Sequence, residues 1–348
     1  MPIDAVAPFV ATPPAAAMGT QRAVGERIRY GRRLPEFGAL APLVEDPEVT
    51  DVFVNGPTQV WVDRGAGAER RASLSVTASA LRDLAVRLIA LGGRHVDEAT
   101  PCVDVRLHDG IRIHVVLPPI SPGGTLLSIR LPRPRRFDLE GLEREGLFDR
   151  VRLDAVVGLV SRRVNILVTG AAGSGKTTLL SAMLARAAPT DRIIAIEDVA
   201  ELQVAHPHFV SLEARQANLE GAGEVGLARL VREALRMRPD RLVLGECRGA
   251  EVRELFAALN TGHDGGAGTL HANSLEDVPA RLEALGALAG LGVTAVARQA
   301  VSAIGAVLHL ERRGGARRLA ALGRFMVDTG GRLRAEPMPD NGEVIAVG

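Results

Sequence analysis

The stretch NILVTGAAGSGKTTLL, residues 165–180, decides the fold of this chain of 348 residues. An apolar run leads into a loop of nine residues, and a helical pattern follows at once. This is the G-x-x-x-x-G-K-[ST] motif in the setting that it requires, between a strand and a helix. Glycines let backbone N–H groups close around a phosphate, and the helix start adds a partial positive charge. We expect these nine residues to bind a nucleotide: Gly170, Ala171, Ala172, Gly173, Ser174, Gly175, Lys176, Thr177 and Thr178.

The loop contains the only lysine of the chain, Lys176, although lysines and arginines together number 42. Because the chain has 38 glycines, the glycines alone would also fit an ordinary turn between a strand and a helix. The lysine favours the phosphate loop, since a compact ammonium fits inside such a loop and a planar guanidinium does not. We expect Lys176 to bind the β- and γ-phosphates of the nucleotide and Thr177 to ligate Mg²⁺.

The composition is that of an ordinary globular chain. The net charge is +1 and 47% of the residues are hydrophobic, but no apolar run reaches the roughly 18 residues of a membrane span. The aromatic content of 3% disfavours a groove that stacks single-stranded nucleic acid, so no direct nucleic-acid partner is expected. The two cysteines and the absence of a signal-peptide pattern favour a reducing cytosol.

The length predicts about two domains. Residues 1–40 are predicted to be a flexible or short helical segment, and residues 41–130 a small α+β domain. In that domain apolar residues alternate along predicted hairpins, and Thr77 precedes a run with helical periodicity. Residues 131–145, which begin with a proline- and arginine-rich hinge, are predicted to be a linker to a second domain at 146–348.

In the second domain, predicted strands and helices alternate, which indicates an α/β fold with a parallel sheet covered by helices. Ligands of such sheets gather at the carboxyl ends of the strands. Glu197, Glu201, Glu246 and His271 follow predicted strands in the same way as the phosphate loop. Glu246 fits a carboxylate that holds Mg²⁺ through water, and a second carboxylate near the γ-phosphate can orient the attacking water.

Four motifs together resemble a known family. GAAGSGKT, IEDVAEL, RPDRLVLGECRGAE and GTLHANS are similar to the Walker A, Asp box, Walker B and His box of the secretion traffic ATPases. These are the motors of type II secretion, type IV pili and type IV secretion. DVRLHDGIRI and NTGHDGGAGTLHANS extend the resemblance to about residues 40–310 and are most similar to the Tad/Flp pilus, CpaF-like branch.

The resemblance implies a PAS-like α+β N-terminal domain before a RecA-like P-loop ATPase domain that uses ATP and Mg²⁺. It implies a homo-hexamer in the cytoplasm, peripheral at the inner face of the membrane. Its partners would be a polytopic inner-membrane platform protein and, indirectly, a pilin or secreted substrate.

The resemblance also implies roles for single residues. Glu201 would be the general base, with Glu197 the alternative, and Glu246 would act on Mg²⁺ through water. His271, and as a second candidate His263, would sense the γ-phosphate.

Arginines of the first domain would reach the nucleotide as well, according to the resemblance; they are Arg106, Arg112 and Arg130. Sheet-face ion pairing is the alternative reading of these three side chains. Few arginines lie inside the motifs of the second domain, so we expect the first domain to supply the charge that the developing γ-phosphate needs.

These expectations favour an enzyme that hydrolyses ATP to power pilin assembly or secretion. Two alternatives stay open. One is a nucleotide-gated scaffold with little turnover, which the presence of Glu201 and Glu246 disfavours. The other is a conjugation or nucleic-acid-transfer ATPase, which the low aromatic content and the net charge near zero disfavour.

Overall fold

The computed structural model of the protein describes residues 34–72, 74–107, 110–131, 137–215 and 222–338. The chain divides into two units between residues 135 and 136, and each unit has its own hydrophobic core. Most of the N-terminal segment predicted to be flexible and the hinge at 132–136 lie outside the described residues.

An antiparallel sheet forms the first unit. Its strands are β1 (Asp51–Asn55), β2 (Val60–Asp63), β3 (Ala68–Arg70), β4 (Cys102–Arg106), β5 (Arg112–Val116) and β6 (Leu126–Arg130). Their order is β3-β2-β1-β6-β5-β4, and every neighbouring pair is antiparallel. Successive side chains point to opposite faces, so the apolar face is buried and the polar face stays at least partly exposed.

Helices complete the core of this unit. A 3-10 helix (Pro35–Leu40) leads into α1 (Ala41–Val44), and α2 spans Ala78–Leu91. The hydroxyl of Thr77 accepts the N–H of Ala80 at 3.2 Å, which is the predicted N-cap of α2. Phe37 and Leu40 are fully buried in the same core. The first unit therefore begins earlier than the predicted boundary at residue 41, because these apolar side chains fill its interior.

The second unit alternates strands and helices, as its sequence pattern predicts. The helices are α3 (Leu139–Arg144), α4 (Leu153–Ser161), α5 (Lys176–Leu184), α6 (Leu227–Leu235), α7 (Val252–Leu259), α8 (Val278–Leu288) and α9 (Val293–Ala303). The strands are β7 (Ile166–Gly170), β8 (Ile193–Glu197), β9 (Phe209–Glu213), β10 (Arg241–Leu244), β11 (Ala267–Leu270), β12 (Ala306–Arg313), β13 (Ala316–Val327) and β14 (Leu333–Pro337).

These strands form one sheet in the order β14-β13-β12-β7-β11-β10-β8-β9. The six strands from β12 to β9 run parallel, and β13 and β14 add an antiparallel edge. The strands β7, β8, β10 and β11 are buried along their whole length, since both of their faces are covered. Because they are parallel, the loops that follow them meet at one edge of the sheet.

The linker predicted for residues 131–145 is shorter than expected at its C-terminal side. Asp138 caps α3 by accepting the N–H of Gly141 at 2.7 Å. Leu139 and Leu142 are buried in the core of the second unit. The apolar residues of this short helix therefore belong to the unit that they precede.

Two apolar helices, α8 and α9, meet at an angle of 117°. Among the described residues no single helix is long and apolar enough to cross a membrane, although this bent pair passes the same criteria of length and composition.

A buried ion pair anchors the start of β10. The Nε of Arg241 donates to Oδ2 of Asp191 at 2.7 Å, and its Nη2 donates to the carbonyl of Val160 at 3.0 Å. Both charged side chains are more than nine-tenths buried. Since a buried ion needs such partners, the pair fixes the strand that leads to Glu246.

Candidate active site

The loop between β7 and α5 has a backbone that requires glycine at two points. Gly170 has a φ of 146°, and a Cβ there would lie 2.4 Å from the carbonyl oxygen of Leu310. Gly175 precedes α5 in the left-handed region, with a φ of 102°. These glycines let the chain turn from strand to helix within five residues, which places the N-terminus of α5 beside the loop.

Several oxygens around the loop fit a nucleotide and its metal. The hydroxyl of Ser174 is buried and has no hydrogen-bond partner in the described part of the chain. A phosphate oxygen is an acceptor that would satisfy it. Thr177, Glu201 and Glu246 supply oxygens of the kind that Mg²⁺ takes as ligands.

Lys176 is buried at the centre of this loop. Its Nζ donates to the carbonyls of Gly170 and Ala171, at 3.0 Å each, and lies 3.4 Å from Nδ1 of His271. Burial lowers the pKa of Lys176, while the carboxylates of Glu246 and Glu201 act in the opposite direction. The ammonium thus lies between two carbonyl oxygens of the loop and the ring of His271.

His271 connects the loop lysine to the carboxylate that follows β10. Its Nε2 lies 2.9 Å from Oε1 of Glu246, and Nη2 of Arg248 donates to Oε2 of the same carboxylate at 2.6 Å. Burial and the charge of Lys176 lower the pKa of His271. A neutral ring that accepts at Nδ1 and donates from Nε2 satisfies both of its neighbours, and this assignment follows from the hydrogen-bond network.

Both oxygens of Glu246 therefore have a polar neighbour. Burial raises the pKa of Glu246, but the hydrogen bond and charge of Arg248, together with the charges of His271 and Lys176, outweigh burial, so the pKa lies below its ordinary value. Arg248 was not among the predicted site residues. Its position two residues after Glu246 was the signal in the sequence that could have identified it.

The two candidate bases, Glu197 and Glu201, differ in their surroundings. Glu197 is buried, and its Oε1 accepts the N–H groups of Glu201 and Leu202 at 2.9 and 3.1 Å. Glu201 is exposed, and its Oε2 accepts the hydroxyl of Thr177 at 3.4 Å. Glu197 therefore holds the loop that presents Glu201 beside the expected Mg²⁺ ligand.

His263, the second candidate that the resemblance implied, lies at the opposite edge of the sheet from His271. It precedes β11, whereas His271 follows it, and its Nδ1 lies 3.1 Å from the carbonyl of Ala258. A strand of four residues separates the two histidines by roughly 13 Å or more. His263 therefore does not join the contacts of Lys176, His271 and Glu246 in the described chain, and its role at the γ-phosphate stays a prediction.

The second unit contributes more arginine to this edge than the motifs indicated. Arg248 contacts Glu246, and Nε of Arg281 donates to the carbonyl of His271 at 3.3 Å. Nε of Arg317, from β13, donates to the carbonyl of Gly173 in the phosphate loop at 3.1 Å. Two of these three arginines lie outside the motifs, so the scarcity of arginines inside the motifs did not reveal the cations that the second unit brings to this edge.

In the first unit, the three arginines predicted to bind the nucleotide lie in one row of the sheet. Arg106 on β4 is opposite Arg112 on β5, which is opposite Arg130 on β6. Asp51 on β1 continues the row beyond Arg130. The row therefore places three positive charges and one negative charge on neighbouring strands of one sheet.

Comparison with known proteins places these features in a family. The profile of the family described as "Type II/IV secretion system protein" matches residues 34–314. A relative from Mycobacterium tuberculosis named "Putative conjugal transfer protein Rv3659c" is 50% identical over 292 residues, which cover 82% of this chain and 83% of the relative. The type IV secretion system protein PtlH of Bordetella pertussis is 33% identical over 276 residues, which cover 70% of this chain and 78% of the relative.

Two solved structures share the fold. The ATPase DotB of Legionella pneumophila has a TM-score of 0.56 at 18% identity, with 83% of this chain and 80% of that chain covered. The pilus retraction motor PilT with bound ADP has a TM-score of 0.56 at 19% identity, with 91% of this chain and 83% of that chain covered. The described architecture, an α+β unit followed by an α/β unit with a mostly parallel, RecA-like sheet, is thus a fold that these two structures share.

Proposed function

Because the chain belongs to the type II/IV secretion system protein family, we propose that it hydrolyses ATP with Mg²⁺ to power assembly or secretion at the cytoplasmic face of a membrane. The observation that carries the proposal is the contact chain from Lys176 through His271 to Glu246. It joins the phosphate loop to the carboxylate expected to act on the metal, so two of the groups that phosphoryl transfer uses lie close together.

Each residue then has a role in one step. Lys176 holds the β- and γ-phosphate oxygens, and Glu201 accepts a proton from the water that attacks the γ-phosphate. Mg²⁺, held by Thr177 and through water by Glu246, would neutralise charge on the phosphates when it is bound. His271 touches both Lys176 and Glu246, so it would respond to whether a γ-phosphate is present.

The cargo that we propose is a pilin of a Tad/Flp-type pilus or a related secreted protein, moved by a homo-hexamer at a polytopic membrane platform. The motifs that extend into both units support this choice. Conjugal transfer is the second candidate, and the name of the relative at 50% identity favours it. In that case the transferred nucleic acid would be moved by other subunits of the machinery, because the low aromatic content disfavours direct stacking.

Release of phosphate from ATP by the purified full chain tests the proposed activity. We expect turnover that depends on Mg²⁺ and is lost with EDTA, because the metal must offset charge on the phosphates. Nucleotide binding without turnover, in the chain alone and with membranes, would instead support the nucleotide-gated scaffold.

A second prediction concerns the row of arginines in the first unit. We propose that Arg106, Arg112 and Arg130 add positive charge at the γ-phosphate of the assembled enzyme. A fragment starting at Phe137 should bind nucleotide but hydrolyse it about tenfold to a hundredfold more slowly than the full chain. The expected loss of rate is smaller than the roughly 10³–10⁵-fold loss that follows removal of a sole arginine finger, since Arg248 and Arg317 stay in the fragment.

The measurement is ATPase rate against protein concentration, with mass determined by light scattering. Alanine at 106, 112 or 130 should lower kcat more than nucleotide affinity, and alanine at Arg82, an exposed arginine on α2 of the same unit, should leave both unchanged. A monomeric fragment as fast as the full chain would assign the three arginines to ion pairing on the sheet face.

A further inference from the structure

The hairpin of β12 and β13 carries arginines to the side of the phosphate loop. In the register of β12 and β7, Leu310 is level with Gly170, where the phosphate loop begins. Beyond that level the two strands continue as a hairpin and turn at Gly314 and Gly315, both with positive φ. Arg312 and Arg317 face each other across this extension.

Arg317 contacts the phosphate loop on its outer side. Its Nε donates to the carbonyl of Gly173 at 3.1 Å. Its Cδ lies 3.2 Å from the position that a Cβ would occupy on Gly175, so the bare glycine makes room for the arginine stem. Since Arg317 is 144 residues distant in sequence from Gly173, the contact depends on the sheet and not on the motif.

This contact fixes the orientation of one peptide group in the loop. In a trans peptide the carbonyl and the following N–H point in opposite directions. The N–H of Ser174 therefore points away from Arg317, and it donates to the carbonyl of Ala171 at 3.3 Å. The contact with Arg317 thus supports the turn at residues 171–174, which sets the path of the loop backbone.

The loop residues next to this contact, 171–173, are exposed to solvent. Gly173 has a φ of 71°, and as a glycine it has no side chain that would restrict rotation of its backbone.

We propose that Arg317 is a positioning residue of the nucleotide site, which holds the phosphate loop in its binding conformation through the carbonyl of Gly173. The proposal rests on the proposed function for the identity of the ligand, ATP. Arg317 lies on the hairpin of β12 and β13, whereas the sequence motifs place the other residues of the site in earlier parts of the chain.

Replacing Arg317 with methionine keeps the length of the stem and removes the donor. We expect the Kd and KM for ATP to rise about tenfold, as for the loss of one hydrogen bond to a charged group. The kcat should change less than about threefold, because a preorganised loop serves bound substrate and transition state alike. Lysine at 317 should restore part of the affinity, since its ammonium can still donate to the carbonyl.

Two readouts on the full chain test the proposal, with Arg318→Met as the matched control. Arg318 is the next residue on β13, its side chain points to the other face of the hairpin, and its Nε lies 3.6 Å from Asp149. The first readout is KM and kcat for ATP. The second is hydrogen exchange of the amides of residues 170–177 without nucleotide, which should become faster in Arg317→Met only.

The exchange readout separates this proposal from the proposed function. If the wild-type chain neither binds nor hydrolyses ATP, the proposed function fails, and exchange at 170–177 still decides whether Arg317 restrains the loop. Unchanged exchange in Arg317→Met, or an equal change in Arg318→Met, would overturn the positioning role. A fall in kcat with KM unchanged would also overturn it, because that pattern belongs to a group that acts only in the transition state.

Discussion

Replacing Lys176 with alanine is expected to lower ATP hydrolysis by about a hundredfold to a thousandfold, the usual cost of removing one preorganised group from a developing anion. The fold should survive, because Lys176 interacts with loop carbonyls and His271 rather than with the apolar core. Phosphate release measures the first effect, and thermal unfolding followed by circular dichroism measures the second.

Arginine at position 176 should be nearly as impaired as alanine, and this is the sharper test. The ammonium lies between two carbonyl oxygens, 3.0 Å from each of them. The guanidinium of arginine is planar and larger, so it does not fit the same space. Arg186→Ala is a suitable control, since it removes a cation just beyond α5 that pairs with Glu140 at the surface. Near-normal turnover in Lys176→Arg would contradict our interpretation of the lone lysine.

The second large effect should come from Glu201. Glutamine at this position is expected to lower kcat about a hundredfold to ten-thousandfold while nucleotide affinity stays within about threefold, because a general base is needed only in the transition state. Its exposed carboxylate beside Thr177 can accept a proton from water, whereas Glu197 already binds two backbone N–H groups. Single-turnover hydrolysis and nucleotide titration separate the two quantities.

Other carboxylates serve as comparisons in the same experiment. Glu246→Gln should raise the Mg²⁺ concentration needed for half-maximal activity and lower kcat together. Glu197→Gln should lower the melting temperature, since it disturbs a buried acceptor, and Glu233→Gln on the exposed side of α6 should change nothing. Wild-type turnover in Glu201→Gln would mean that the base is elsewhere, with Glu197 the next candidate.

Much of this site could be predicted from the sequence because its chemistry is local. A glycine loop, its lysine and the helix that follows are contiguous, and their roles depend on backbone conformations that residues 170–178 specify among themselves. The alternation of strands and helices likewise predicted a parallel sheet, and a parallel sheet places polar residues that follow its strands at one edge. Glu201, Glu246 and His271 were found in that way.

The boundaries of the units were less predictable. Phe37 and Leu40 are buried although they belong to the segment predicted to be flexible or a short helix. Leu139 and Leu142 are buried although they belong to the predicted linker. A short apolar segment is buried only where another part of the chain offers a complementary surface. The pattern within a segment of about six residues does not reveal such a surface.

Only the tertiary structure decided which of several plausible side chains meet. It separated Glu197, turned to backbone amides, from Glu201, and it placed His263 at the far edge of the sheet. It also brought residues far apart in sequence to the phosphate loop: Arg317 lies against Gly173, and the buried Nδ1 of His309 lies 2.9 Å from the hydroxyl of Thr169.

The physical reason is the order of the strands. The neighbours of β7 are β11 and β12, which follow it by about a hundred residues or more, so the residues beside the phosphate loop are chosen by sheet pairing. The motif by itself predicts that a phosphate binds and which lysine binds it. The packing of distant strands decided which carboxylate lies beside Thr177 and which arginine contacts the loop.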